Sequence, residues 1–309
     1  MALLFFGNAD RASEWIGPLQ QGVPGLEVRV YPDIGDPADI RYTLGFAPPP
    51  GVLKGLPNLQ VMFSTGAGVD GTLRDPEVPA HVPLVRMVET GLTEGMTEYV
   101  VLHTLAWHRD LWAYAKAQEQ GRWIQRPQTL ARDRRVGILG LGVLGTDAAR
   151  ALSALRFDVA GWSRTPKHLD GVRGFAGGDG LDAFLARTEI LICLLPLTSE
   201  TRGLLDRRCL SRLPKGAVLI NAARGAHVVD ADLLALLDEG HLAGATLDVF
   251  HEEPLPADHP YWRHPKVVVT PHAAAQTLAR GAAAEVARQI RRHQAGEPLE
   301  NVVDRTRGY

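Results

Sequence analysis

Between residues 135 and 155 the chain leaves little choice of fold. The apolar run Val136 to Leu139 leads into Gly140-Leu-Gly142-Val143-Leu144-Gly145, and an Ala- and Leu-rich stretch with helical spacing follows. Glycines at the first, third and sixth positions of a turn between strand and helix meet three separate needs. Gly140 permits the tight turn, Gly142 lets the backbone approach a pyrophosphate, and Gly145 lets the helix pack closely on the strand. The pyrophosphate would sit at the positive end of the helix, held by backbone N–H groups. Gly140, Gly142, Val143, Leu144 and Gly145 are therefore candidate cofactor contacts. A glycine-rich packing turn without a ligand is the alternative; the strand before and the helix after weigh against it.

The rest of the chain repeats the strand–helix order. Strands are expected at Arg135 to Leu139, Phe157 to Trp162, Ile190 to Leu194, Ala217 to Asn221, Gly244 to Val249 and Val267 to Thr270, with helices over Gly145 to Leu155, Gly180 to Ala186 and Asp230 to Asp238. Alternation of this kind is the mark of an α/β, doubly wound parallel sheet. Earlier in the chain, Ala2 to Gly7, Leu26 to Tyr31, Leu59 to Ser64 and Leu84 to Val88 read as strands of a second, smaller parallel sheet. One helix is expected from Thr93 to about Gly121, and a last one from Ala274 to Gln294, ahead of an Asn301-Val-Val303 tail tucked back onto the first domain. The length of 309 residues suits two domains.

Composition narrows the function. With 33 Lys and Arg against 35 Asp and Glu, the net charge of -2 supplies no global field for nucleic acid or for an anionic membrane. The longest nearly apolar run, Ile190 to Leu197, contains Pro196 and is far short of the roughly 20 residues of a membrane helix. The stretch Ala2 to Phe6 follows no basic region and is broken by Gly7, so it reads as a first strand and not as a signal peptide. The two cysteines, Cys193 and Cys209, suit a reduced, cytoplasmic protein.

About 20 residues beyond a glycine turn of this type, an NAD site usually places an acid at the end of the second strand. Here Phe157-Asp-Val-Ala-Gly-Trp162 is followed by Ser163-Arg164-Thr165-Pro-Lys167, with no acid. A carboxylate beside the 2′-phosphate of NADP would repel it by about 1 kcal/mol at 4 Å in water and about 4 at an effective dielectric of 20. An arginine reverses the sign and can fork onto the phosphate. Ser163, Arg164, Thr165 and Lys167 thus point to NADPH as cofactor, preferred over NADH. Asp158 competes as the acid, but it opens its strand instead of closing it; Arg164 as a solvated loop charge is the plainer alternative.

Three further segments each follow a strand: Asn221-Ala222-Ala-Arg224-Gly225, Leu247-Asp248-Val-Phe-His-Glu-Glu253-Pro254, and Thr270-Pro-His272-Ala-Ala-Ala275. Ligands of open parallel sheets bind beyond the carboxyl ends of the strands, so the three can share a crevice with the glycine turn. In this order, the segments resemble the D-2-hydroxyacid dehydrogenase family along nearly the whole chain, and the Ser163-Arg-Thr165 segment and the length are most similar to its NADPH-dependent glyoxylate/hydroxypyruvate reductase branch. The resemblance implies a Rossmann-type coenzyme domain, 103–275, inserted in a flavodoxin-like substrate domain made of 1–102 and 276–309, with the active site in the crevice between them. It implies that the amides of Ala67, Gly68 and Val69 take a substrate carboxylate, and that Leu195, Pro196, Thr201, Ala222 and Asp248 serve the cofactor. A homodimer is implied too, and the aromatic segment around Trp107, Trp112 and Trp123 is a second pointer to it.

The residue types suit the chemistry in their own right. Reducing an α-keto acid takes a hydride on the carbonyl carbon, a proton on its oxygen and an anchor for the carboxylate. Arg224 can anchor the carboxylate and polarise the carbonyl with a permanent charge. His272 can give the proton, since an imidazole exchanges one near neutral pH. Glu253, with Glu252 as competitor, can hold the far ring nitrogen. Phe46, on the Gly45-Phe-Ala-Pro loop, is either a lid over the substrate's side chain or a core aromatic. His251, Glu252, Glu253, His259 and His264 lack His-Glu-x-x-His spacing, and no metal is expected. The expected partner is a small 2-keto acid. The competing readings are an NAD(P)H-sensing binding protein on the same fold, and a dehydrogenase for another acid; a phosphorylated one would call on Arg74 and Arg86.

Overall fold

The computed structural model describes the backbone of residues 1–309 and every side chain except that of Ala9. The chain begins with β1 (Ala2–Phe5), α1 (Ala9–Gly22), β2 (Glu27–Val30), β3 (Ile40–Leu44), β4 (Val61–Phe63), α2 (Asp70–Leu73) and β5 (Leu84–Val85). It continues through α3 (Thr90–His108), α4 (Leu111–Glu119), β6 (Arg135–Leu139), α5 (Val143–Ala154), β7 (Asp158–Ser163), β8 (Arg173–Ala176) and α6 (Gly177–Arg187). The last third comprises β9 (Ile190–Cys193), α7 (Arg207–Leu210), β10 (Ala217–Asn221), α8 (Asp230–Asp238), β11 (Leu242–Leu247), β12 (Val267–Val269) and α9 (Ala279–Gln294). Two compact units result: Met1–Leu92 with Gln276–Tyr309, and Thr93–Ala275.

In the first unit a parallel sheet has the order β2-β1-β3-β4-β5, a flavodoxin-like arrangement. The interior strand β1 is buried along its whole length, as a parallel strand covered on both faces must be. The Asn301–Val303 tail pairs with β5, Val303 donating its N–H to the Leu84 carbonyl at 2.8 Å. Strand β3 went unrecognised at the sequence level because Arg41 and Thr43 interrupt its apolar run; in the sheet the Tyr42 side chain is buried.

The second unit is a seven-stranded parallel sheet in the order β12-β11-β10-β9-β6-β7-β8, a Rossmann-type doubly wound arrangement. One apolar layer gathers Leu139, Phe184, Leu191, Leu219, Leu236 and Leu247; the other gathers Val136, Ile138, Leu152, Ile192 and Ile220. Because all strands are parallel, the loops that follow β6, β7, β9, β10, β11 and β12 leave from one edge of the sheet. Those loops carry the glycine turn, Ser163–Lys167, Leu194–Thr201, Asn221–Gly225, Asp248–Glu253 and Thr270–Ala275.

Several boundaries differ from the expected ones. The helix from Thr93 to Gly121 is two helices, broken where Asp110 adopts a left-handed φ of 58°, a conformation that Asp tolerates better than most residues. The division between the units falls at Thr93 and not at 103, because Met96, Tyr99 and Val100 of α3 are already built into the core with Val136 and Ile138. α9 begins at Ala279, leaving Ala274 to Leu278 in the loop after β12.

The glycine turn makes the first prediction. A Cβ on Gly145 would collide with the Gly140 carbonyl oxygen, whereas one on Gly178 in α6 would meet no atom. Gly145→Ala should therefore lower the unfolding free energy by about 2–4 kcal/mol, and Gly178→Ala should leave it unchanged or raise it by up to about 1 kcal/mol, both measured by urea denaturation.

Candidate active site

The turn after β6 has the form its glycines suggest. Gly140 sits at φ 101°, a conformation closed to side chains, and the Gly140 carbonyl lies against Gly145 in the first turn of α5. Gly142 caps α5 in an extended conformation, and a Cβ there would meet nothing within 4 Å. That open face at the start of a twelve-residue helix suits the close approach of a pyrophosphate. Val143 is exposed beside it and Leu144 is half-buried.

The loop after β7 folds back toward this turn. Ser163 is buried and donates its hydroxyl to the Thr165 carbonyl at 2.7 Å, which tightens the loop and leaves Arg164 and Thr165 at the surface. The Lys167 ammonium donates to the Leu141 carbonyl at 2.6 Å, so one positive charge of this loop lies on the glycine turn itself. Asp158 is the first residue of β7, at the opposite end of the strand, and pairs with Arg187 at 2.6 Å.

In the loop after β9, Leu195 is buried in the core. Thr201 donates its hydroxyl to the Pro196 carbonyl at 2.7 Å and accepts the Thr198 N–H at 2.8 Å. His227, fully buried, links this loop to the next: one ring nitrogen faces the Pro196 carbonyl at 3.2 Å and the other the Arg224 carbonyl at 3.0 Å. Asn221, also fully buried, donates its amide to the same Arg224 carbonyl at 3.0 Å. Ala222 is buried beside it, and the Arg224 guanidinium, half-buried, donates to the Ala223 carbonyl at 2.7 Å. A Cβ on Gly225 would overlap the Phe250 backbone, so the glycine lets the arginine loop dock on the loop after β11.

That second loop presents the acid. Phe250 donates its N–H to Glu253 Oε1 at 2.9 Å, and Glu253 Oε2 lies 2.6 Å from His272 Nδ1. A carboxylate can only accept, so Nδ1 carries the proton and Nε2 is left without a protein partner among the described residues. The competitor Glu252 is exposed and takes no part in this pair. His251 and His259 instead face Asp230 at 3.5 and 3.6 Å, and His264 faces Asp238 at 3.3 Å. No group of three or more metal-ligating side chains is assembled among the described residues.

Asp248 is buried and accepts from Thr270 Oγ1 (2.6 Å), Ala273 N (2.8 Å) and Ala274 N (3.0 Å). Burial pushes its carboxyl above the ordinary value, against the pull of these donors and of His272. Most of its hydrogen-bonding capacity is therefore spent on the turn that bears the histidine.

In the first unit, Ala67, Gly68 and Val69 form a loop braced by Ser64, whose hydroxyl accepts the Gly66 N–H and donates to the Gly68 carbonyl, both at 3.1 Å. Val69 is buried. Phe46 is half-buried against this loop: its ring lies where a Cβ on Gly71 would be, and its carbonyl accepts the Thr72 hydroxyl at 2.8 Å.

Residues 101–274 match the family described as D-isomer specific 2-hydroxyacid dehydrogenase, NAD binding domain. The chain belongs to the D-isomer specific 2-hydroxyacid dehydrogenase family. It is an oxidoreductase by that membership. It is 42% identical over 314 residues to glyoxylate/hydroxypyruvate reductase A of Serratia proteamaculans, with 100% of both chains covered. Among solved structures, a D-isomer specific 2-hydroxyacid dehydrogenase of Xanthobacter autotrophicus in complex with NADPH and MES shares 44% identity at a TM-score of 0.96, covering 100% of this chain and 99% of that one. An NADPH-dependent glyoxylate/hydroxypyruvate reductase of Sinorhizobium meliloti in complex with NADP and sulfate shares 41% at a TM-score of 0.93, with the same coverage.

Within this dehydrogenase, His227 and the Phe250 amide were not anticipated, because each joins groups that only the folded loops bring together: His227 bridges the Pro196 and Arg224 carbonyls, and the Phe250 N–H steadies the carboxylate that meets His272. The Asp248 fastening is directly testable. Asp248→Ala strands two N–H groups, that of Ala274 buried, and a hydroxyl, and should lower the unfolding free energy by about 1–3 kcal/mol in urea denaturation.

Proposed function

We propose that the chain reduces small 2-keto acids, glyoxylate and hydroxypyruvate among them, to 2-hydroxy acids with NADPH. The observation that carries this is the Glu253–His272 pair at 2.6 Å, whose acid is held by an amide of the loop on which the Arg224 loop docks. The open face of Gly142 suits the cofactor's pyrophosphate, and Arg164, Thr165 and Lys167 supply a positively charged neighbour for a 2′-phosphate. The cofactor supplies the hydride when bound. Gly140, Val143, Leu144, Gly145, Ser163, Leu195, Pro196, Thr201, Ala222 and Asp248 complete its proposed surroundings.

Arg224 takes the substrate carboxylate with a fork of fixed geometry and draws electron density from the neighbouring carbonyl. The proposed role of the first unit is the amides of Ala67, Gly68 and Val69 for the same carboxylate, with Phe46 bracing their loop. His272 gives its Nε2 proton to the carbonyl oxygen as the carbon accepts the hydride, and Glu253 holds the ring by Nδ1 throughout. The NADPH complex and the NADP complex among the similar structures, and the reductase names of two relatives, support this substrate class and cofactor.

The proposed setting is the cytoplasm, which suits two free, buried cysteines with thiols pushed up to about 12 by burial. No helix is long and apolar enough to cross a membrane, among the described residues. A homodimer is proposed through α3, α4 and the segment after them, where Leu102, Leu111 and Trp123 are exposed. Trp107 is no part of that surface: it packs on Gly244 and donates its indole N–H to Thr246. Sedimentation equilibrium should return twice the chain mass; a monomer would refute the dimer.

The deciding experiment follows NADPH and NADH oxidation with glyoxylate, hydroxypyruvate and larger keto acids. Turnover is expected, with His272→Ala lowering kcat by about 10²–10⁴-fold while NADPH binding persists. Tight NADPH binding with no turnover on any keto acid would sink the reductase reading. Arg164→Ala should cost about tenfold in affinity for NADPH and little for NADH; equal losses for both would remove Arg164 from the 2′-phosphate.

A further inference from the structure

His272 occupies a conformation that its own sequence does not favour. Its φ of 52° is left-handed, which costs a residue with a Cβ, because the side chain crowds the following carbonyl oxygen. The cost has to be met by the surroundings, and the surroundings are Asp248. The His272 N–H donates to the Asp248 carbonyl at 2.8 Å, and the next two N–H groups, of Ala273 and Ala274, donate to the two oxygens of the Asp248 carboxylate. The turn is thus fastened by a single residue at three successive amides.

The carboxylate is itself held from the other side. Thr270 Oγ1 lies 2.6 Å from Asp248 Oδ1 and 2.7 Å from the Tyr99 hydroxyl of α3. Proton counting sets the direction. Ionised Asp248 only accepts, so the single Thr270 proton goes to it, and the Thr270 oxygen then accepts the Tyr99 proton. Burial pushes the Tyr99 phenol well above its ordinary range, so the donor keeps its proton. Tyr99 is buried, its ring 4.3 Å from that of His103, and its hydroxyl makes no other hydrogen bond among the described residues.

We propose that Tyr99 and Thr270 are positioning residues for the proton donor, acting through Asp248 to hold the left-handed His272 turn. Tyr99 belongs to a helix remote in sequence, and packing alone would require its ring but not its hydroxyl. The hydroxyl orients Thr270, Thr270 occupies one oxygen of Asp248, and the remaining acceptor directions of Asp248 fall on the turn. Loosening the chain removes no residue from the cofactor's proposed surroundings, Asp248 included, and lets the imidazole swing, so the loss falls on kcat. The consequence for catalysis rests on the reductase reading of His272; the fastening itself does not.

Two measurements on the full chain separate these. Amide hydrogen exchange without any ligand should show Ala273 and Ala274 losing protection in Tyr99→Phe and Thr270→Val, while Thr270→Ser, which keeps the hydroxyl, behaves as the unmodified chain. Steady-state kinetics with NADPH and glyoxylate should show kcat reduced about 5- to 20-fold in Tyr99→Phe and Thr270→Val, KM for NADPH unchanged, and Thr270→Ser restored to near the original kcat. Unchanged exchange at Ala273 and Ala274 in Tyr99→Phe would overturn the fastening. Altered exchange with an unaltered kcat would overturn the positioning role. A chain with no turnover before substitution would overturn the reductase reading and the catalytic consequence with it, and the exchange result would still decide the fastening.

Discussion

Parallel alignment of β10, β11 and β12 is the constraint on which the site depends. Their register sets Asn221 opposite Leu247 and Leu247 opposite Val269, so the residues that follow leave the sheet at one level. The backbone bonds continue one step past the strands: Asp248 N–H to the Asn221 carbonyl, and Thr270 N–H to the Leu247 carbonyl. An arginine loop, an acid loop and a histidine turn are thereby delivered together. Shifting any of these strands by one residue would turn Asn221, Asp248 or Thr270 to the other face of the sheet.

From that level onward the loops are joined by polar groups, several of them buried, each of which has its hydrogen bonds. Asn221 and His227 both act on the Arg224 carbonyl, Gly225 admits the Phe250 backbone, and Phe250 N–H holds Glu253. Asp248 and Thr270 close the series at the histidine. Inside a protein such hydrogen bonds are strong when complete and costly when one partner is missing, which keeps loops as well located as strands. A site for proton transfer needs this stiffness, because reactivity falls steeply with small displacements of the reacting groups.

Much of this was legible in the order of residues. The glycine turn, the strand–helix alternation and the segments with Arg224, Glu253 and His272 lie within short stretches, and local rules of spacing and turn chemistry read them. Where the reading failed, a distant partner was at work. Strand β3 carries polar residues that only its place in the sheet explains, and β8 is a short edge strand. The break at Asp110 depends on a left-handed residue that is not a glycine. Trp107, suggestive of an interface, is turned inward by the space that Gly244 leaves open.

The sequence alone determined the chemistry available: a glycine turn of the form that suits a phosphate, a loop of basic residues where an acid would repel a second phosphate, and an arginine, an acid and a histidine at strand ends. These follow from residue type and short-range spacing, which act before any long-range contact forms. Only the tertiary structure decided that Glu253 and not Glu252 meets His272, that Asp248 fastens a turn, and that Tyr99 stands behind it. Hydrogen bonds of about 3 Å demand positions that no spacing rule supplies, because they join residues brought together by the sheet and not by the chain.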